Sequence, residues 1–574
     1  MRILEVIRQN QVRVCISLTI LALLLWIHAM LGAELNFGFF GLISSYPVTF
    51  FIALALLTVS FSWLCFSGQN VRWLLLLQLI FLIVSLYLTP LALEGTPRIS
   101  DTYMHFGLAD IILREHRLFP EFLLYHNWPG FPILIAGFME IMGTHDPFYF
   151  LAWFPICFKL LCLLPFYHLI LRNTTEPHTN RWWMAVWIIY VANWIYETDH
   201  LCPQAMGFFL FLVCLSLLLP RSQERLSGAT NALSPSTTVL LIVVFASLVT
   251  THLLTSIALL AMAVALFLGK RVRSPTLLVL FAILIATWLI YGAYYQFQGQ
   301  LPAFVRMAFR LDIIYKFVDR PYALGTSEAL HFVIRQRIFF TLFVGILGFI
   351  GAMIRLRQRK LWHGNDLTML LLFSFVILTP VFFYGGGILH RTFLFLLVPL
   401  AYFASHLISK KRWAIVLTAA LIIAIPGHMV AHYGNEVFNY YSPAELAGNE
   451  TFYELTTHGH IVAVMSGYLS QMRYEERYDR FHLMNPIREY SRDYLLSEAE
   501  AEAWIQALRD SVFFGARLGW PPPRYVYLTR HDKIWYDFFV SRPEWFYEHK
   551  AALDNSADYN LFYVNPDFSL YIKE

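Results

Sequence analysis

Long apolar runs broken by short, mostly basic stretches fill the first three quarters of the chain. Runs of roughly 16 to 24 residues fall near 14–33, 46–68, 73–93, 148–171, 182–198, 203–220, 236–251, 253–268, 275–297, 338–354, 367–385, 391–408 and 412–431. An α-helix needs about 20 such residues to cross a hydrocarbon core, so the pattern predicts a polytopic α-helical membrane protein with about thirteen transmembrane helices. One further run, "FPILIAGFMEIMG" (131–143), is too short to span and carries Glu140, which predicts a helix lying in the interface. From about residue 435 the pattern becomes polar, charged and rich in Tyr. There "SEAEAEAWIQALRD" has helical spacing, "PPPRYVYLTR" reads as a strand after a proline brake, and "NLFYVNPDFSLYIKE" reads as two strands around an Asn-Pro-Asp turn. Two domains are expected: 1–434 in the membrane, with outer loops 94–147 and 298–337, and a soluble α/β domain over 435–574.

Charge then orients the spans. With the N-terminus in the cytoplasm, Arg72, Arg172, Arg181, Arg221, Arg225, Lys270, Arg271, Arg273, Arg355, Arg357, Arg359, Lys360, Lys410, Lys411 and Arg412 all fall on the cytoplasmic side. The first run follows Arg2, Arg8 and Arg13 and has no small-residue cleavage site, so it is expected to stay as an anchor. This orientation leaves 94–147, 199–202, 298–337, 386–390 and the tail after about 432 on the opposite face, a prokaryotic plasma membrane being the expected setting.

Composition narrows the class further. The chain is 58% hydrophobic and only 14% charged, with a mean hydropathy of +0.55, against a charged fraction near 25% in soluble domains. The net charge of +4 is small and the basic residues form no single face, so no nucleic-acid partner is expected. Six Cys sit at 15, 65, 157, 162, 202 and 214, with none in the polar tail, which argues against a disulfide framework or a Cys metal site.

The outer segments hold the candidate chemistry. In "SDTYMHFGLADIIL", a helix starting near Asp101 puts His105 one turn on and on the same face, whereas Asp110 turns to the opposite side. A carboxylate beside apolar walls can act as a general base toward a hydroxyl. A second acidic group, Glu197 and Asp199 in "NWIYETDHLCPQ", lies close to the hydrocarbon, where charge is costly unless it faces a cavity or a partner. These two, with His105 and His252 of "VTTHLLTS", are candidates for contacting an acceptor or a cation. An anionic leaving group needs positive charge to receive it. Arg306, Arg310, Lys316, Arg320, Arg335 and Arg337 in 301–337 run against the positive-inside bias, and "YGGGILHRTF" offers three glycines before His390 and Arg391. Arg391, His390, Arg306 and Arg310 are the candidate phosphate contacts, because a guanidinium fork matches two phosphate oxygens.

This arrangement resembles the GT-C superfamily of integral-membrane glycosyltransferases. The resemblance rests on an Asp in a long outer loop after a span ("SDTYMHFGLADIIL"), a Pro-containing aromatic stretch and short outer helix ("NWPGFPILIAGFMEIMG"), a second acidic turn ("YETDHLCPQ") and an outward C-terminal domain. It implies a polyprenyl-phosphate-linked sugar as donor, a glycan, lipid or protein as acceptor, Asp101 as base, and charge neutralisation by Arg391 or by a divalent cation such as Mg or Mn. Two departures stand out. About three spans precede Asp101, where the family usually has one. The Trp-Trp-Asp motif of oligosaccharyltransferases is absent, "RWWMAVW" having no Asp and lying on the cytoplasmic side. The sequence therefore points to inverting transfer of a single sugar. The competing class is a transporter or flippase of a lipid-linked substrate, which would place charges at mid-depth in two matching halves; Lys159 is the clearest such charge, and matching halves are not evident.

Overall fold

The computed structural model describes residues 10–67, 71–121, 123–143, 148–172, 180–219, 233–272, 274–298, 327–378, 388–457, 460–464, 480–483, 524–540 and 543–573. Serine–proline pairs mark several helix starts. At Ser234, Ser274 and Ser442 the hydroxyl accepts the backbone N–H three residues on, at 3.2, 3.3 and 3.1 Å. The following Pro, which lacks an N–H, occupies the first helical position where none is needed. In chain order the helices are α1 (Gln11–Leu31), α2 (Val48–Ser67), α3 (Arg72–Glu94), α4 (Ser100–Glu115), α5 (Gly130–Met142), α6 (Phe148–Leu161), α7 (Leu163–Arg172), α8 (Asn180–Ala192), α9 (Pro203–Leu218) and α10 (Pro235–Thr251). They continue with α11 (Leu253–Leu268), α12 (Pro275–Thr287), α13 (Glu328–Arg357), α14 (Gly364–Leu371), α15 (Ile388–Ser405), α16 (Lys411–Tyr433), α17 (Glu436–Asn439), α18 (Pro443–Leu455), α19 (Arg530–Trp535) and α20 (Pro543–Asp554).

Among the described residues, eight helical stretches are long and apolar enough to cross a membrane: Gln11–Leu31, Val48–Ser67, Arg72–Glu94, Phe150–Leu169, Pro275–Gly292, Glu328–Arg357, Arg391–Ser409 and Lys411–Tyr433. Eight of the thirteen expected runs are matched by these stretches. The described parts of the other five runs lie in α8, α9, α10, α11 and the stretch Gly364–Val376, each of 13 to 17 residues. At 1.5 Å per residue a 13-residue helix reaches about 20 Å, short of a ~30 Å hydrocarbon core. Helix α8 shows why hydropathy misjudges such segments: all thirteen of its side chains are buried in protein, so its apolar character reflects a core position and not contact with lipid. The run at 131–143 is indeed a short helix, α5.

Polar side chains and small residues tie the helices together. Gln78 of α3, fully buried, donates to Thr19 Oγ1 of α1 at 2.7 Å and to Ser60 Oγ of α2 at 2.8 Å, joining the three N-terminal helices. Helices α13 and α15 cross in close contact at two glycines. A methyl group on Gly348 would stand 2.8 Å from the Leu400 side chain, and one on Gly351 would overlap the Phe403 carbonyl. This crossing matters for the site, because α13 carries Arg337 and α15 carries Arg391. Exposed Trp73 and Trp413 stand in the first turns of α3 and α16, beside Arg72 and Arg412, the kind of amphipathic and basic pairing that favours a membrane–water interface.

The tail builds a five-stranded sheet in the order β2-β1-β3-β5-β4, with β1 (Ile461–Val464), β2 (Arg480–Leu483), β3 (Tyr525–Thr529), β4 (Tyr559–Asn565) and β5 (Phe568–Lys573). Strands β2, β1 and β3 are parallel; β3, β5 and β4 are antiparallel. The β4–β5 turn forms where expected, with Asn565 Oδ1 accepting the Asp567 N–H at 3.0 Å. Helix α18 covers the sheet, packing Phe452 and Tyr453 against Tyr525, Tyr527, Phe568 and Leu570. The expected helix at "SEAEAEAWIQALRD" lies outside the described residues. The sheet is fastened to the bundle by Arg530, which donates to the carbonyls of Tyr440 and Val437, and by Ser327 N–H to the Phe538 carbonyl at 3.0 Å.

Gly351→Ala is expected to lower the melting temperature of the detergent-solubilised protein, at a cost of about 1–3 kcal/mol for a side chain forced into a packed contact. Gly345→Ala, in the same helix but with nothing within 4 Å of the added methyl, should show no loss.

Candidate active site

Segments 94–105 and 193–202, the α10–α11 junction at His252, and residues of α13, α15 and α16 come together. Asp101 sits in the first turn of α4, where a carboxylate is favoured by the unpaired N–H groups of the helix start. The residue before α4, Ile99, has φ 70° and ψ 125°, a conformation that a β-branched residue adopts only when its surroundings impose it. The imposing contacts are visible. Thr96 Oγ1 donates to the Tyr441 carbonyl at 2.7 Å, Ile99 N–H to the Asn439 carbonyl at 2.8 Å, Thr102 Oγ1 to the Arg98 carbonyl at 2.9 Å and Tyr103 OH to the Pro97 carbonyl at 2.6 Å.

Arg98, only 6% exposed, is the centre of this arrangement. Its Nη1 donates to Asp199 Oδ2 at 2.8 Å, its Nε to Glu436 Oε1 at 2.7 Å and its Nη2 to Glu436 Oε2, while its guanidinium lies 4.6 Å over the Tyr433 ring. Asp199 Oδ2 also accepts His432 Nε2–H at 2.5 Å. Burial alone would raise the Asp199 carboxyl, but His432 and Arg98 hold it below the usual carboxylate range. Asp199, expected to be free for an acceptor or a cation, thus acts as a tie between the two loops and α16. Lys159, the mid-span charge, belongs to the same region: its Nζ donates to Thr198 Oγ1 at 2.6 Å and lies 4.6 Å over the Tyr87 ring.

Around Tyr196 the remaining candidates come together. Glu197 first, then burial, raises the Tyr196 phenol; Asp101 acts in the same direction, and Arg337 and Arg391 oppose. Two carboxylates and two guanidiniums from α4, the 193–202 loop, α13 and α15 therefore share one electrostatic neighbourhood. Arg337 is anchored there by Nε to the Ala431 carbonyl at 2.8 Å and by contacts of 5.4 and 5.7 Å with the Trp194 and Tyr196 rings. His252 caps α11, its Nδ1 accepting the Thr255 N–H at 3.3 Å. Burial, then Arg391, pushes this imidazole down to about 3 against the pull of Glu197, so His252 is neutral, with its proton on Nε2. His105 is buried edge-on to Tyr125 at 4.5 Å and Phe131 at 5.8 Å; burial, with His200 and His252, keeps it neutral as well.

Other expected residues lie apart from this group. Asp110 does turn away from Asp101 and pairs with Arg114 at 2.8 Å. Arg306 and Arg310 lie outside the described residues, as does the glycine triplet; His390 falls in the first turn of α15, ahead of Arg391. Sequence reasoning missed Arg98, His200, His432 and Glu436. Arg98 stands in "TPRISD", three residues before Asp101, where its charge was visible but its partners were not. His200 follows Asp199 directly, with Nδ1–H donated to the Tyr196 carbonyl at 2.9 Å and its ring nearly parallel to Tyr196. Among the described residues, no group of three or more His, Cys, Asp or Glu side chains is placed to hold a metal ion, so no metal ligands are assigned and no step is routed through one.

No family model matches the chain, and no curated protein matches it. Two solved structures of an Archaeoglobus fulgidus oligosaccharyltransferase are similar to it. The apo form has a TM-score of 0.45 at 12% identity, covering 79% of this chain and 69% of that one. The complex with zinc and sulfate has a TM-score of 0.44 at 12% identity, covering 87% and 73%. At these levels, function has to be argued from the residues.

The segment that backs the site carries its own titrating pair. Burial raises Glu445 of α18 to about 8, while the backbone N–H of His531, 3.3 Å from its Oε1, opposes the rise. Burial, then Arg530, lowers His531 to about 3. Folded Glu445 holds its proton more tightly than the unfolded chain, so its contribution is present below about pH 4.3 and lost as pH rises through 8. His531 contributes above about pH 6.5 and loses that contribution as pH falls toward 3. Docking of α18 and α19 should therefore loosen between about pH 6.5 and 8. Hydrogen exchange across 443–455 should show this loosening, and Glu445→Gln should remove it.

Proposed function

We propose that this chain is a GT-C-type membrane glycosyltransferase that moves a single sugar from a polyprenyl-phosphate donor to an acceptor hydroxyl on the non-cytoplasmic face. The observation that carries the reading is the shared neighbourhood of Tyr196. A carboxylate able to take a proton, Asp101, stands in one field with Glu197 and with two guanidiniums able to receive an anion, Arg337 and Arg391. In this reading the acceptor oxygen attacks the anomeric carbon as Asp101 takes its proton. The bond from that carbon to the phosphate oxygen breaks, and the electron pair leaves with polyprenyl phosphate. Arg391 and Arg337 receive the phosphate charge, with Arg306, Arg310 and His390 as further candidate contacts. A single displacement inverts the anomeric centre. Glu197 holds the acceptor hydroxyls, and neutral His105 and His252 offer uncharged hydrogen-bonding groups at the same place.

Sidedness is read from the sequence, where the short basic loops agree with a cytoplasmic N-terminus; the reading therefore puts the reaction and the sheet domain outside a prokaryotic plasma membrane. The missing Trp-Trp-Asp motif supports transfer of one sugar instead of a preassembled oligosaccharide. The acceptor is a glycan, lipid or protein hydroxyl, and membrane lipids surround the spans.

The test uses purified protein in phosphatidylethanolamine–phosphatidylglycerol liposomes with radiolabelled polyprenyl-phosphate mannose, glucose and arabinose and a membrane extract as acceptor source. Wild type should release sugar from lipid, and Asp101→Asn should lose this by roughly 10²–10⁴-fold, the usual worth of a positioned base, while inserting and melting normally. Activity retained in Asp101→Asn removes the base role, and label that crosses the bilayer still attached to lipid indicates a flippase.

A further inference from the structure

We infer that Arg98 is the positioning residue for Asp101: clamped between Asp199 and Glu436, it holds the 96–99 segment in a conformation that Ile99 opposes, and so sets where the Asp101 carboxylate stands. The catalytic consequence rests on the reading of Asp101 as base; the positioning itself does not.

The geometry carries this in three steps. Helix α4 begins at Ser100, so the direction in which Asp101 leaves the chain is set by the backbone of Ile99. At φ 70° and ψ 125°, that backbone sits where only glycine is comfortable. Left to itself the segment would relax toward negative φ and swing the first turn of α4. Second, one side chain adds a buried ionic restraint to the hydrogen bonds of Thr96, Ile99, Thr102 and Tyr103. Arg98 makes two donations to Glu436 and one to Asp199, and all three groups are buried, at 6%, 0% and 1% exposure. A buried guanidinium bonded to two carboxylates resists rotation, because leaving either one strands a buried charge. Third, the two carboxylates come from different places. Asp199 belongs to the loop that presents Tyr196 and Glu197, and Glu436 follows α16 beneath the sheet domain. Arg98 therefore registers the Asp101 turn against the loop holding the second acidic group, and references both to the outer domain.

Lysine cannot replace this function, since one ammonium on a flexible stem does not reach two carboxylates through three fixed donors. Glycine at 99, by contrast, would make the turn comfortable without the clamp. A residue that only stabilised the fold would not interact with Ile99 in this way.

The experiment uses the full chain in liposomes. In a Cys157→Ala background, which removes the exposed thiol, Asp101→Cys is labelled from outside with a charged methanethiosulfonate. Adding Arg98→Lys should change the labelling rate by roughly fivefold or more as the turn samples other conformations, and adding Ile99→Gly to that should restore part of the original rate. In otherwise native protein, Arg98→Lys should lower kcat for sugar release about 10- to 100-fold with KM little changed, and Ile99→Gly should again recover part of the loss. Glu436→Gln, which keeps Arg98 and Asp199 paired, gives a milder version of both effects if Arg98→Lys does not fold. Unchanged labelling in a folded Arg98→Lys or Glu436→Gln protein overturns the proposal, as does a defect confined to KM. Labelling that responds as expected, in a protein whose wild type releases none of the three sugars, supports the positioning role and removes the transferase reading.

Discussion

The buried guanidinium of Arg98 is the constraint on which the acidic end of this protein depends. Charges taken out of water are stable only when paired and hydrogen-bonded, and losing one partner of a buried pair costs about 3–5 kcal/mol. Arg98 meets that requirement by drawing Asp199, Glu436 and, through Asp199, His432 to one point. Three parts of the chain, the outermost 338 residues apart, are thereby held in one register. Where only apolar side chains meet, contact between spans gains little over contact with lipid and tolerates small shifts, since lipid and leucine are equally apolar. A buried ion network has no such tolerance.

The strained turn beside it gives this rigidity a use. A non-glycine residue at positive φ costs on the order of 1–3 kcal/mol and survives where its surroundings over-determine it. Here the surroundings are the latch of Thr96, Ile99, Thr102 and Tyr103 and the Arg98 clamp, and two residues on, in the first turn of α4, stands the Asp101 carboxylate. The second acidic loop is treated alike. Asp199 is spent on holding the loop in place, and Glu197 beside it remains with Asp101, Arg337 and Arg391 around Tyr196. Neighbouring carboxylates thus have different roles because one has buried cations as partners.

Much of the architecture is legible from local rules. The bilayer demands long apolar helices, so the long runs announce themselves, and Ser-Pro pairs, the Asn565–Asp567 turn and the short helix at 130–142 follow from local backbone chemistry. The runs that became α8, α9, α10 and α11 were harder to judge. Burial in protein and burial in lipid select the same residue types, and only the packing of neighbours reveals that α8 is enclosed on every side. The parallel pairing of β1 with β2 and β3 is similarly hidden, since non-local register leaves no mark in a short segment.

For the site, the sequence by itself determined which residues could carry the chemistry: carboxylates and histidines in the polar segments around Asp101 and Asp199, with Arg337 and Arg391 elsewhere in the chain as candidate cations. It could do so because the membrane sorts charge by side, which makes an acidic boundary loop conspicuous. Only the tertiary structure decided which of these groups share a neighbourhood, that Asp199 is a tie, that His252 is a neutral cap, and that Arg98 governs the turn before Asp101. Those assignments depend on pairs of groups far apart in the chain, and a charge shows its need for a partner in sequence but not the partner that burial provides.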